Sequence, residues 1–411
     1  VRMGPAATID AVYRAEFGRA LATVARMVGD IGLAEDAVQE AFADALRTWP
    51  ERGLPSNPGG WITTAARNRA LDRLRRESAR AVKEHDAALT RAPNEEAEVS
   101  PVPDDQLRMI FTCCHPALSR PSQVALTLRL VCGLSTAEIA RAFLQPEQTV
   151  AQRLTRAKAK IRQAGIPLRV PPPRLLPERI PGVLACVYLV FTEGYFATSG
   201  TSAVRDELCD EAIRLGRLLC GLLPREPEAR ALLALMLLQD SRRNQRRRGD
   251  GELVPLEDQD RSRWDQAAIR AGLECLRSAE AEGGGPYLVQ ARIAAAHATA
   301  PCWAQTDWHS IVAQYDELLV LAPSPAVSVS RAVAVGFARG FHAGLAALHE
   351  VAADPRLAGS HLVPATRADL LRRDGRCTEA AESYRAALEL AGNDQVRRFL
   401  ARRLAEVESA R

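Results

Sequence analysis

The residues best placed to do chemistry in this chain are binding residues. From Val150 to Ile161, apolar Val150, Leu154, Ala157 and Ile161 recur at spacings of four, three and four, one stripe of a helix. The other faces carry Gln148, Thr149, Gln152, Arg153, Arg156, Lys158, Lys160 and Arg162. Arginine offers paired donors to guanine or phosphate and glutamine can pair with adenine, so such a helix suits a DNA major groove. A second basic stretch, residues 61–80, holds six Arg against two acids. An acidic set, Asp36, Gln39, Glu40 and Asp44, lies opposite an apolar stripe of Ala34, Val38, Phe42, Ala45, Leu46 and Trp49. No H-E-x-x-H, P-loop, G-x-S-x-G or dinucleotide fingerprint occurs. Cys113-Cys114-His115 lacks a spaced second ligand pair, so buried helix positions are expected there rather than a metal site. The chain is read as a non-enzyme with no metal, no cofactor and no catalytic residue.

The elements that must position these residues are helical. Ala, Leu and Arg dominate the 411 residues and aromatics make up 5%, which favours long helices over β-sandwiches. The net charge of +4 is uneven: +2 over residues 1–80, −5 over 81–105, +8 over 106–170 and −1 over 171–411. The acidic stretch 81–105 has three prolines and little apolar periodicity, so it reads as an extended linker. Pro171-Pro172-Pro173, flanked by Pro167, Pro177 and Pro181, marks a stiff spacer over 171–179. Pro55, Pro58, Gly59 and Gly60 separate two helices in the first block. In the second, Ser135 and Glu138 form a capping-box signature, and Leu144-Gln145-Pro146 is the turn of a helix-turn-helix. Nine scattered Cys suggest reduced thiols of a cytoplasmic protein. No signal segment opens the chain and no apolar run reaches roughly 18 residues, so no membrane is expected.

The C-terminal part repeats. Thr306, Gly340 and Gly375 stand in equivalent positions at intervals of 34 and 35 residues. Ile311, Leu345 and Ala380 share one register, and Tyr315, His349 and Tyr384 another. That period and pattern predict tetratricopeptide-like (TPR) pairs of helices over 301–411. Residues 180–300 read as a helical extension. Within them, the motif EDQDRSRWD (257–265) suits an interaction loop or an internal salt-bridge network. The Arg242–Arg248 cluster suits a solvated loop or a second DNA contact.

These motifs together resemble an extracytoplasmic-function (ECF) sigma factor of bacterial RNA polymerase, of the subgroup with a long C-terminal helical extension bearing TPR-like repeats. AEDAVQEAF (34–42) and WITTAARNRALDRLRR (61–76) match sigma region 2, and GLSTAEIARAF with TVAQRLTRAKAKIR (133–162) matches region 4. The resemblance implies an all-α chain with domains at 1–80 (region 2), 106–170 (region 4), 180–300 (extension) and 301–411 (repeats). It implies that Asp36, Gln39 and Glu40 bind the polymerase core. It further implies that Trp61, Arg67, Asn68, Asp72, Arg73 and Arg76 bind the minus-ten promoter element; the alternative for Trp61 is a core aromatic. Gln148, Thr149, Gln152, Arg153 and Arg156 would bind the minus-thirty-five element. Ala151 stands where the family usually has Lys, so one phosphate contact is absent. The acidic linker would thread near the polymerase cleft. The expected partners are polymerase core, promoter DNA and a peptide or protein ligand of the repeats. The alternative is a helix-turn-helix regulator with a peptide-sensing TPR domain, which would have no need of region 2.

Overall fold

The computed structural model describes residues 5–84, 105–143, 145–195, 203–246, 254–391 and 394–409. All regular structure among them is helical, as expected. The chain forms two compact units, Val1–Glu193 and Gly194–Arg411.

The first unit opens with α1 (Pro5–Val28), α2 (Ile31–Arg52) and α3 (Pro58–Glu84). Asp30 caps α2 by accepting from the Leu33 N–H at 2.9 Å, and Asn57 receives the Gly60 N–H at 2.9 Å as α3 begins. Ala34, Val38, Phe42, Ala45 and Trp49 of α2 are buried as their spacing predicts, with Tyr13 of α1 edge-on to Phe42 at 4.8 Å and Phe17 tilted against it at 6.4 Å. Leu46 departs from that stripe and stands 56% exposed. It lies one residue, about 100°, past buried Ala45 and so points away from the core.

Then come α4 (Asp105–Cys113), α5 (Arg120–Leu126), a five-residue π turn (Thr127–Val131), α6 (Thr136–Phe143) and α7 (Glu147–Gln163). The capping box forms: Ser135 N–H donates to Glu138 at 2.7 Å, and Glu138 N–H to the Ser135 hydroxyl at 3.1 Å. Pro146 precedes α7 as its cap; Leu144 of the expected turn lies outside the described residues. Most of the linker, 85–104, also lies outside them.

Next, α8 (Leu176–Tyr195) starts inside the segment read as a Pro-rich spacer. Pro177 stands in the first turn, where its missing N–H would have no partner anyway. Helix runs through Pro181 as well. Residues 173–192 are long and apolar enough on average to cross a membrane by length and composition, although Arg174, Glu178 and Arg179 interrupt the apolar run. Ile180, Val183, Leu184, Cys186, Val187, Val190 and Phe191 are instead buried within the protein. Arg120 donates to the Gly182 carbonyl at 2.8 Å, Arg179 to that of Phe111 at 2.8 Å, and Cys186 Sγ to the Thr127 hydroxyl at 3.4 Å. So α8 is tied to α4, α5 and the π turn, which lead into the helix-turn-helix.

The second unit holds α9 (Ala203–Leu222), α10 (Pro227–Asp240), α11 (Gln266–Glu282) and α12 (Pro286–Thr299). Glu228 of α10 takes the N–H groups of Gly285, Tyr287 and Leu288 at 2.8–3.0 Å, satisfying the otherwise orphaned start of α12. Three helix pairs follow: α13 (Trp308–Leu321) with α14 (Pro325–Arg339), α15 (Phe341–Ala352) with α16 (Leu362–Arg373), and α17 (Cys377–Leu390) with α18 (Asp394–Ser409). Gly340 and Gly375, at φ +98° and +77°, make the turns before α15 and α17. Gly344 brings α15 onto α14, where an added Cβ would come within 2.9 Å of the Ala332 carbonyl.

His297 of α12 is largely buried and its Nδ1 has no hydrogen-bond partner. Burial, with Arg242 and Arg261 nearby, pushes its pKa down to about 4. The folded state therefore resists protonation that the unfolded chain accepts below pH ~6.5. The stability from the neutral ring is full above that pH and is lost as pH falls toward 4. Thermal melts of the full chain should show the second unit weakening by about 1–2 kcal/mol across that window, and His297→Leu should flatten the dependence. An equally steep dependence in the variant would assign the effect to other groups.

Candidate nucleic-acid and polymerase interface

On α7, Val150, Leu154, Ala157 and Ile161 are buried, as the stripe requires. Gln148, Thr149, Gln152 and Arg156 are exposed on the opposite faces. Arg153 is half-buried and donates to Gln145 Oε1 at 2.6 Å, which fixes it across the turn from α6. Four of the five residues expected to read DNA therefore present a continuous polar surface, and the fifth is braced at its edge.

On α3, Arg67, Asn68, Asp72 and Arg76 are exposed. Trp61 is half-buried, its ring edge-on to that of Trp49 at 5.4 Å. Trp49 is 6% exposed, so Trp61 lies over a core residue with one side open. Arg73 is not free: it pairs with Glu40 and, at 3.4 Å, with Asp36. Arg69 likewise pairs with Glu40 at 3.1 Å and with Asp44. The acids expected to meet the polymerase thus face the arginines of α3. Asp36 remains 65% and Glu40 40% exposed, so a basic partner can still reach them. Gln39 is exposed and donates to Glu35 at 3.2 Å.

Glu35 is the residue that spacing did not single out. It is buried, and accepts from Arg129 Nε of the π turn at 2.7 Å and from Lys158 Nζ of α7 at 2.9 Å. Arg129 also donates to the Leu134 carbonyl at 3.0 Å and sits 5.8 Å over the Phe17 ring. Around this triad, Arg26 meets Asp105 at 2.7 Å and Arg162 meets Asp30 at 3.4 Å. Gly18 lets α1 touch the π turn: an added Cβ would lie 2.1 Å from the Val131 carbonyl. The signal was present in the sequence. Residues 35, 38, 42, 45 and 49 follow the 3,4,3,4 register of a buried seam, and Glu35 is its one charge.

The other candidates resolve structurally. Cys113 and Cys114 are buried, and Cys114 Sγ lies 3.7 Å from the Thr127 hydroxyl. Burial raises the pKa of the Cys113 thiol well above its ordinary range. In the basic cluster, Arg243 pairs with Asp240 and Asp210, both at 2.7 Å, and Arg246 lies 3.6 Å over the Tyr195 ring. Arg247 and Arg248 lie outside the described residues.

Comparison with known proteins places these features. Residues 12–80 match sigma-70 region 2, residues 108–161 match sigma-70 region 4, and residues 179–280 match a family of unknown function. A helical region 2 followed by a helix-turn-helix region 4 defines the class: a sigma factor of the ECF type. Beyond those two regions, the chain belongs to the family of an uncharacterized protein of Rhizobium meliloti (strain 1021). The two are 42% identical over 382 residues, 91% of this chain and 90% of that one. The probable ECF RNA polymerase sigma factor SigI of Mycobacterium tuberculosis is 30% identical over 171 residues, 40% of this chain and 58% of its own length. The ECF RNA polymerase sigma factor SigK of Mycobacterium ulcerans is 28% identical over 149 residues, 36% of this chain and 75% of its own.

Proposed function

We propose that this chain directs cytoplasmic RNA polymerase core to specific promoters, with α2 docking on the polymerase, α3 engaging the minus-ten element and α7 reading the minus-thirty-five element. One observation carries the reading: Gln148, Thr149, Gln152 and Arg156 share the open face of a helix whose other face is buried, on the same chain as region 2. The polymerase performs the chemistry, so the chain needs no catalytic residue. A helix-turn-helix regulator would leave α1–α3 without a task. The paired helices of the second unit fit TPR-like repeats, and we assign them a regulatory role because they are fused to an initiation factor. Repeats of this kind offer long surfaces to partners.

Run-off transcription with purified core polymerase tests this: the full chain should give promoter-dependent transcripts, and their absence would reject it. Arg156→Ala should reduce the slope of log affinity against log salt by about one, if Arg156 neutralises a phosphate. Gln152→Ala should instead relax base preference at one position, lowering discrimination by about 1–3 kcal/mol while leaving the slope unchanged. Both are read by anisotropy titrations of holoenzyme on minus-thirty-five duplexes at several salt concentrations.

A further inference from the structure

The motif at 257–265 has an unusual place in the second unit. Residues 254–265 leave the α10 region and cross to helices far away in sequence. The segment contains only single turns of 3-10 helix, Leu256–Asp258 and Arg261–Arg263. Its backbone is tied at the ends: Val254 N–H to the Arg246 carbonyl at 2.9 Å, and Asp265 N–H to that of Ser241 at 2.8 Å. Between the ends, side chains provide its grip. Arg373 of α16 donates to both oxygens of Glu257 at 2.7 Å. Arg403 of α18 lies 3.5 Å from Glu257 and 3.9 Å from Asp258. Arg261 donates to the carbonyls of His297 and Ala300 at 2.7 and 2.8 Å.

The surface beneath is built for a carboxylate. Arg373 is held by Asp369 at 2.7 Å and lies 4.8 Å over Phe337. Phe337 stacks on Trp308 at 4.4 Å and meets Trp303 edge-on at 5.1 Å. Arg403 is 12% exposed, and its Nε is buried without a hydrogen-bond acceptor. Arg373 is thus shared between Glu257 and Asp369, while Arg403, which also meets Glu406 of its own helix at 2.8 Å, keeps an unused Nε donor. Arginine backed by aromatic rings is the composition that concentrates binding energy at interfaces.

We infer that Arg373, backed by Phe337 and Trp308, and Arg403, lying over Phe399, form a binding site for an extended acidic peptide with two adjacent carboxylates, occupied here by Glu257 and Asp258 of the chain itself. This deepens, and rests on, the reading of the second unit as an interaction module. The internal segment is tethered, so it competes at high effective concentration and masks the site from a free peptide. A peptide offering the same carboxylates exchanges with it by trading side-chain ion pairs, because no backbone ladder has to break.

The test uses the full chain and a fluorescein-labelled peptide of residues 254–264, VPLEDQDRSRW. The wild-type chain should bind it weakly. Glu257→Gln should tighten binding about tenfold or more, by lifting the internal competitor. Adding Arg373→Ala or Arg403→Ala to that variant should abolish the gain, as should a peptide with Gln in place of its Glu. If Glu257→Gln melts well below wild type, Asp258→Asn, which removes an outer and half-exposed carboxylate, provides the same readout. No gain in either folded variant, or a gain that survives loss of Arg403, overturns the site and leaves the segment a structural brace. Peptide binding without any effect on run-off transcription would keep the site and reject the regulatory role instead.

Discussion

Glu35→Ala should weaken the first unit by about 3 kcal/mol and loosen region 2 from region 4. A buried carboxylate facing two cations is stabilising mainly because its removal strands them. Arg129 is only 14% exposed and largely cut off from water, although the Leu134 carbonyl and the Phe17 ring still engage it. Lys158 is 29% exposed and can swing out. The loss therefore lies at the low end of the 3–5 kcal/mol typical of a broken buried pair. Gly18→Ala should loosen the same interface without touching charge, because the new methyl meets the Val131 backbone and not a flexible side chain. Urea titrations give the stability. Fluorophores on α3 and α7 report the separation, which should lengthen in both variants. Unchanged distance and stability in Glu35→Ala would show that apolar packing alone holds the two regions together.

This prediction bears on the proposed function. Elements centred at minus-ten and minus-thirty-five are about 25 base pairs apart, roughly 85 Å at 3.4 Å per pair. Regions joined by ion pairs of 2.7 and 2.9 Å cannot read both on straight DNA. Residues 85–104 can span at most about 70 Å when extended, which with the width of the two regions covers the distance. Reading both elements therefore requires the Glu35 contacts to break. Glu35→Ala should then leave transcription by saturated holoenzyme within a few-fold of wild type, despite the weaker free protein.

Legibility in the sequence followed local physics. The α7 stripe and the Ser135–Glu138 cap depend on residues within one or two turns, so spacing alone revealed them. Gly340 and Gly375, 35 residues apart, make the equivalent turns before α15 and α17 that their spacing suggests. By contrast, α10 buries Ala229 and every residue from Ala231 to Leu238, so it has no polar face to give a period. Glu35 is not in the acidic set read on α2, Asp36, Gln39, Glu40 and Asp44, from the first of which it is separated by one step of about 100°. Partners such as Arg129 and Lys158, about a hundred residues away, leave no trace in a local pattern. The proline run was equally ambiguous, since proline at a helix start and proline in a spacer look alike in sequence.

That ambiguity sets the second large effect. A chain ending at Val170 should be less stable than one ending at Glu193 by about 3–6 kcal/mol, because it lacks α8. Each buried Val, Leu, Ile or Phe side chain stabilises by about 1.5–3 kcal/mol, and two of the α8 side chains laid on region 4 are enough to reach that figure. The hydrogen bonds from Arg120 to Gly182 and from Arg179 to Phe111 go with them. The shorter chain would also uncover Cys114 and Thr127, which Cys186 now faces. Thermal and urea unfolding of the two truncations measure the difference, and equal stability would make α8 a mere tether. The comparison also decides how the extension must be tested. Removing 171–411 strips α8 from region 4, so lost transcription there could reflect an unfolded reader of DNA. Removing 194–411 keeps that packing, and any change in promoter-specific transcription then belongs to the second unit alone.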